Sequence, residues 1–302
     1  MKRTISLILA VLSCAFSLRA QDPAFEWMLR TADPESSVMP GLSLLSSSDV
    51  SLAAFNNPAV IPYSHDRFSL KAGYSLEGRP LAGGGANAGA AAKVGRRVGI
   101  ALAGNYNPGG TYEVIDDYGN MEGTFRTSSM LFSAGVGVKV LECLGLGVNL
   151  KYAGEKLAPD SSPGAFASDV YALFRWKGVG VTAGVSNVGT SVKDLGGTSF
   201  SLPSAARLAA GYSFCFAEKH LVQAGVGADC FFTGGVSASA GASYLFNDML
   251  YVRAGYRFSS GTALPSCGSL GVGVKFFGVC LGAAYLMSSG TDVLTFTLGY
   301  GF

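Results

Sequence analysis

The chain has 302 residues, of which 14% are charged, with a formal net charge of +2 and a positive mean hydropathy. Soluble domains carry about 25% charge, so this chain is short of the ions that keep a globule in water, and its balanced charge gives no bulk electrostatic case for nucleic acid. Membrane helices are excluded as well, because 42 glycines lie scattered among the apolar residues, each costs a helix about 1 kcal/mol, and beyond the N-terminus no run reaches the roughly 20 apolar residues of a helical span.

At the N-terminus, Lys2 and Arg3 precede an apolar run from Ile5 to Leu18, and Leu18-Arg19-Ala20 offers a small-residue cleavage site. Residues 1–20 therefore read as an export signal cut after Ala20. Val11-Leu12-Ser13-Cys14 loosely resembles a lipoprotein box, but cleavage there leaves a short apolar region. With the signal removed, Cys143, Cys215, Cys230, Cys267 and Cys280 remain. They form no Cys-x-x-Cys pair and no even framework, so neither a disulfide scaffold nor a zinc site is expected, and no metal or cofactor.

Residues 21–66 show no alternation and are punctuated by Pro23, Pro34, Pro40, Pro58 and Pro62. Asp22, Glu26, Asp33, Glu35 and Asp49 stand there against Arg30, which predicts an irregular, acidic segment.

From residue 67 the rhythm changes to period two. The spacing predicts strands near 67–76, 85–94, 96–107, 127–140, 143–154, 166–176, 178–188, 203–215, 219–232, 235–246, 249–259, 267–276, 279–288 and 293–302. Leu144, Leu146, Val148, Leu150 and Tyr152 share one face, opposite Gly145, Gly147, Asn149 and Lys151. Several oily faces end in an aromatic, as at Tyr152, Phe214, Phe246, Phe258 and Phe302, which suits a girdle at a bilayer interface. Connections alternate between tight turns and long loops, with the short link at Thr233-Gly234 as the exception. This is the pattern of an all-β, transmembrane antiparallel β-barrel of about 14 strands in a cell outer membrane, with short periplasmic turns and long external loops. Its strands must close on themselves, since an unpaired amide in hydrocarbon costs several kcal/mol. Residues 1–20, 21–66 and 67–302 are thus expected to be signal peptide, periplasmic or plug segment, and barrel.

The face assignment puts Lys71, Lys139, Lys151, Arg175, Arg207, Arg253, Arg257 and Lys275 inside the barrel, with few inward acids such as Asp169 and Asp229. Two readings follow: the acidic N-terminal segment enters a cationic lumen as a plug, or these cations sit near strand ends and reach for headgroups. At the C-terminus, Leu298, Tyr300 and Phe302 resemble the signal read by the barrel assembly machinery, so lipid and that machinery are expected partners.

Asp49-Val50-Ser51-Leu52-Ala53-Ala54-Phe55-Asn56-Asn57-Pro58-Ala59, just before the first strand, resembles the lead-in of the PorV/PorQ family, outer-membrane barrels similar to the FadL fatty-acid channel. The family mark is the Asn-Pro-Ala element, here Asn57, Pro58 and Ala59 after Asn56. Phe25-Glu26-Trp27-Met28-Leu29 and Met39-Pro40-Gly41-Leu42 resemble the family's opening stretch, while Val60 stands where many relatives have glycine. The resemblance implies one of two roles: a part in type IX secretion through secretion or surface-attachment partners, or a FadL-like channel for a hydrophobic ligand. On loop chemistry alone, Asn57 before Pro58 suits a hinge that docks a plug.

No enzyme is expected. The chain has two histidines, His220 beside a tight turn and His65 within Ser64-His65-Asp66, whose neighbouring side chains point apart in an extended segment and cannot form a triad. Gly83-Gly84-Gly85 and Gly178-Val179-Gly180 open no helix and so make no phosphate cradle.

Overall fold

The computed structural model describes residues 23–29, 39–46, 49–78, 83–116, 118–159, 161–193, 197–217, 219–260, 264–288 and 290–302. The expected signal peptide and its cleavage site lie outside the described residues, as do Asp22, Arg30, Asp33 and Glu35.

Among the described residues, sixteen strands run in chain order: β1 (Phe68–Glu77), β2 (Gly83–Val94), β3 (Val98–Ile115), β4 (Met121–Leu141), β5 (Leu144–Lys156), β6 (Gly164–Trp176), β7 (Val179–Gly189), β8 (Val192–Lys193), β9 (Ser199–Phe200), β10 (Ala205–Phe216), β11 (His220–Phe231), β12 (Val236–Phe246), β13 (Leu250–Ser260), β14 (Cys267–Phe276), β15 (Val279–Ser288) and β16 (Val293–Gly301). Fourteen of them close into one antiparallel barrel, while β8 and β9 form a separate two-stranded piece inside the β7–β10 connection. β1 closes against β16, with Leu70 opposite Tyr300 and Ala72 opposite Leu298. Phe302 finishes the seam: its carbonyl accepts from the Arg67 and Phe68 amides, its amide donates to the Phe68 carbonyl, and its ring lies 5.8 Å from that of Phe68.

Closure matters because of what the strands expose. Leu102, Leu150, Leu208, Val226 and Tyr256 are each more than half exposed, whereas Lys71, Asn87, Asn149, Lys151 and Asp169 are buried. A soluble sandwich hides its oily face; this barrel turns it outward. Backbone pairing all round then leaves no sheet edge to meet hydrocarbon, so the chain is a membrane-spanning barrel of the outer-membrane type. Trp176 and Phe277, both exposed, mark the girdle at the short-turn end. That end, which holds the links after β2, β4, β6, β10, β12 and β14 and also Phe302, is periplasmic by the usual asymmetry of such barrels.

The external end departs from the expected boundaries in two places. β3 and β4 run on past residue 107 and begin before 127, pairing Thr111 with Arg126 and Tyr112 with Phe125. Pro108-Gly109-Gly110 reads as a strand break, but the ladder absorbs it as a register shift between Pro108 and Thr111. The stretch 189–202, expected to be plain loop, carries β8 and β9.

Residues 39–46 and 49–66 lie inside the barrel. Leu44, Val50, Ala54, Ala59 and Ile61 pack in one apolar cluster with Leu131, Ala153, Tyr171 and Leu173 from the wall. The segment has little regular structure: short helical turns at Glu26–Leu29, Pro40–Ser43, Ala53–Phe55 and Pro58–Tyr63. It begins at the external mouth, where the Ala24 amide donates to the Ser201 carbonyl at 2.9 Å, and leaves at the periplasmic end, where Tyr63 Oη donates to the Leu141 carbonyl at 3.3 Å.

Candidate functional site: the plugged lumen and its external mouth

The lumen is built around Asn57. The Ala59 amide donates to its Oδ1 at 3.0 Å, capping the turn Pro58–Tyr63, and its Nδ2 donates to the Leu44 carbonyl at 2.8 Å and to Thr182 Oγ1 on β7 at 3.2 Å. One buried amide thus ties two passes of the segment to each other and to the wall. Asn56 contributes its carbonyl, which accepts from Asn149 Nδ2 on β5 at 3.0 Å. Pro58 and Ala59 press on glycines: a Cβ at Gly137 would collide with the Pro58 carbonyl oxygen, and one at Gly147 with the Ala59 amide. Small residues on this face are what let backbone lie against backbone.

Beside Asn57 the wall holds a buried polar network. Lys151 Nζ lies 2.7 Å from Asp169 Oδ2 and donates to Asn187 Oδ1 at 3.0 Å. The Asn187 amide donates to Asp169 Oδ1 at 2.8 Å, and Asn149 Nδ2 to Asp169 Oδ2 at 3.0 Å. Asn187 reaches this position because its φ of +55° sits at an irregularity where the β6–β7 register shifts between Ser168 and Val170. Asparagine tolerates that conformation better than most residues.

The expected lumen cations divide by partner. Lys71 pairs with Asp49, and Lys275 with Asp66 at 3.6 Å, so two acids of the N-terminal segment do meet the wall. Lys151 and Arg207 are instead matched by wall acids, Asp169 and, at 2.9 Å, Asp229. Near the periplasmic end, Lys139 pairs with Glu142 at 3.0 Å and Arg175 lies 5.4 Å over the Tyr63 ring. Arg253 lies 4.0 Å over the Tyr251 ring, and Arg257 is buried on the lumen face of β13. The lumen is therefore less cationic than a count of inward lysines and arginines suggests. Burial alone would raise the Asp49 carboxyl, but the Lys71 charge and hydrogen bonds from Lys71 and Ser51 outweigh it and hold it at about 2.

Cavities lie at both ends of the plug. The larger of those at the periplasmic end, about 370 Å³, combines a mainly apolar surface with charged groups, Arg175, Arg253, Lys275 and Asp66, in its lining. The external one, about 470 Å³, is lined by Phe25, Glu155, Leu157, Pro163, Val192 and Phe200 among others. Its walls come from the start of the plug, the β5–β6 connection and the β8–β9 piece. Sequence reasoning missed this pocket because its residues come from three distant, non-alternating stretches; only Phe25 lay in a segment the family resemblance had marked.

His220 stacks on Phe216 with ring centroids 4.6 Å apart, and its Nδ1 is 2.7 Å from Tyr244 Oη. Asp66 pairs with Lys275, and the His65 carbonyl accepts from Lys93 Nζ at 3.3 Å. Cys143, Cys215, Cys230, Cys267 and Cys280 are free thiols.

No family model matches the sequence, and no curated protein does. Solved structures do. The Ralstonia pickettii toluene transporter TbuX aligns with a TM-score of 0.59 at 10% identity, over 89% of this chain and 98% of its own. A Pseudomonas aeruginosa FadL homologue aligns at 0.57 and 11%, over 90% and 98%. The Pseudomonas putida toluene transporter TodX aligns at 0.56 and 11%, over 87% and 95%. At such identities the likeness is one of fold, and the fold is that of an outer-membrane barrel.

Proposed function

We propose that this barrel takes up a small hydrophobic molecule from the external side of the outer membrane. The observation that carries the reading is the pocket at the external mouth. Its volume of about 470 Å³ lies in the range of small-molecule sites, roughly 300–1,000 Å³, and its lining is mainly apolar. Below it the lumen is filled, so entry is selective and the barrel is no open pore. Two of the aligned structures are described as toluene transporters and one as a FadL homologue, which supports transport over a part in protein secretion. The resemblance of Asn57-Pro58-Ala59 to the PorV/PorQ lead-in is compatible with either role, since here that element docks the plug.

The test is uptake. Cells whose outer membrane carries the barrel should accumulate a radiolabelled apolar probe such as toluene faster than cells lacking it, and Phe200→Asp, which replaces an apolar wall of the pocket by a carboxylate, should bring the rate down about tenfold or more. Equal accumulation with and without the barrel would remove the proposal.

A further inference from the structure

Glu155 is out of keeping with the pocket it lines. It follows Lys151 and Ala153 on the lumen face of β5, is half-buried, and looks into a space walled by Phe25, Leu157, Pro163, Val192 and Phe200. Among the described residues no cation forms an ion pair with it. Its neighbour Lys156 turns away to lie 5.1 Å over the Phe125 ring. Lys193, the other charged residue of the lining, is exposed on the two-residue strand β8. The Trp27 indole N–H supplies one donor to the carboxylate, which has acceptor capacity for more.

An ionised carboxylate is an acceptor only. Partly withdrawn from water among apolar side chains, it gains from any donor that enters with a ligand, and it repels a second carboxylate. A pure hydrocarbon fills the space but strips water from Glu155 and returns nothing, so it forfeits part of its own transfer energy. From these residues we infer that the pocket selects amphiphiles with an apolar body and one donor head, a hydroxyl or an amine, over hydrocarbons and over carboxylates of the same length. The inference rests on the uptake reading above and names its substrate class.

The experiment uses the full chain in lipid nanodiscs, which avoids detergent competing for the pocket. The chain has two tryptophans, so a Trp176→Phe background leaves Trp27 as the reporter, titrated with n-undecane, 1-decanol, decylamine and decanoate. The alcohol and the amine should bind at least about tenfold tighter than undecane and decanoate, the worth of one charge-assisted hydrogen bond. Glu155→Met should erase the preference while undecane still binds, and Lys193→Ala should leave the preference intact. Equal affinity for all four ligands would overturn the inference, as would a preference that survives Glu155→Met, or decanoate binding tightest. Binding of none of the four would instead sink the uptake reading itself. Retention of the compact, unheated band in detergent gels shows that each variant is folded.

Discussion

Asp169 has no water to turn to. It is fully buried, and its two oxygens are occupied by Lys151, Asn149 and the Asn187 amide. Replacing Lys151 by Met leaves that charge alone in a low-dielectric wall, which should cost about 3–5 kcal/mol, while the double change Lys151→Met with Asp169→Leu should recover most of it. Urea titration of barrels folded into lipid vesicles measures both. Asp49 makes a different prediction. Its carboxyl is held at about 2 against an ordinary 3.8, so the folded-state value is the lower one. The contribution of its pair with Lys71 is then complete above the ordinary value and lost as pH falls through about 2. In planar bilayers, openings of the plugged barrel should become more frequent between about pH 4 and pH 2, and Asp49→Asn should already show them at neutral pH with a weaker response to acid. Neutral-pH traces of Asp49→Asn indistinguishable from wild type would contradict this role. Neither pairing could be read from sequence: the inward direction of Lys71 and Lys151 follows from alternation, but which acid meets each depends on how an irregular segment folds back across the lumen.

Among elements, the strands were legible because a lipid-facing strand repeats every second residue whatever its neighbours do. β5 shows this well, with Leu146, Val148 and Leu150 exposed and Gly147, Asn149 and Lys151 buried. Legibility failed where the constraint was not periodic. Pro108-Gly109-Gly110 looks like a break in isolation, yet β4 stays beside it and carries the ladder on to Ile115. The β8–β9 piece is too short for any rhythm to register. The glycines of β4 and β5 are a further case: their place in the pattern gives the face, but only the docked segment explains why that face is bare. Gly137 lies against the Pro58 carbonyl, so Gly137→Ala should displace the plug, with an overpacking cost of about 1–3 kcal/mol, and leave the barrel closed. A variant that shows no more ionic openings in bilayers than wild type and keeps wild-type thermal stability would show that the contact is slack.

At the scale of the whole molecule, two structures share one space and are held by different forces. The wall closes through backbone pairing and faces lipid; the segment inside is held by apolar packing, by Asn57 and by the ion pairs of Asp49 and Asp66. Among the described residues the barrel's ladders begin at Phe68, with Arg67 adding backbone bonds at the seam, so the wall does not need the plug in order to close. Removing residues 21–60 should therefore leave a folded barrel that migrates compactly before heating, and should turn a nearly silent protein into one with stepwise ionic conductance in planar bilayers. The exposed lumen would be lined by Lys71, Asn149, Arg253 and Arg257, polar groups that wet readily once the apolar cluster around Leu44, Ala59 and Ile61 is gone. Unchanged conductance after the deletion would mean that the wall itself seals the lumen, and the filled interior would then be a matter of stability and not of selective entry.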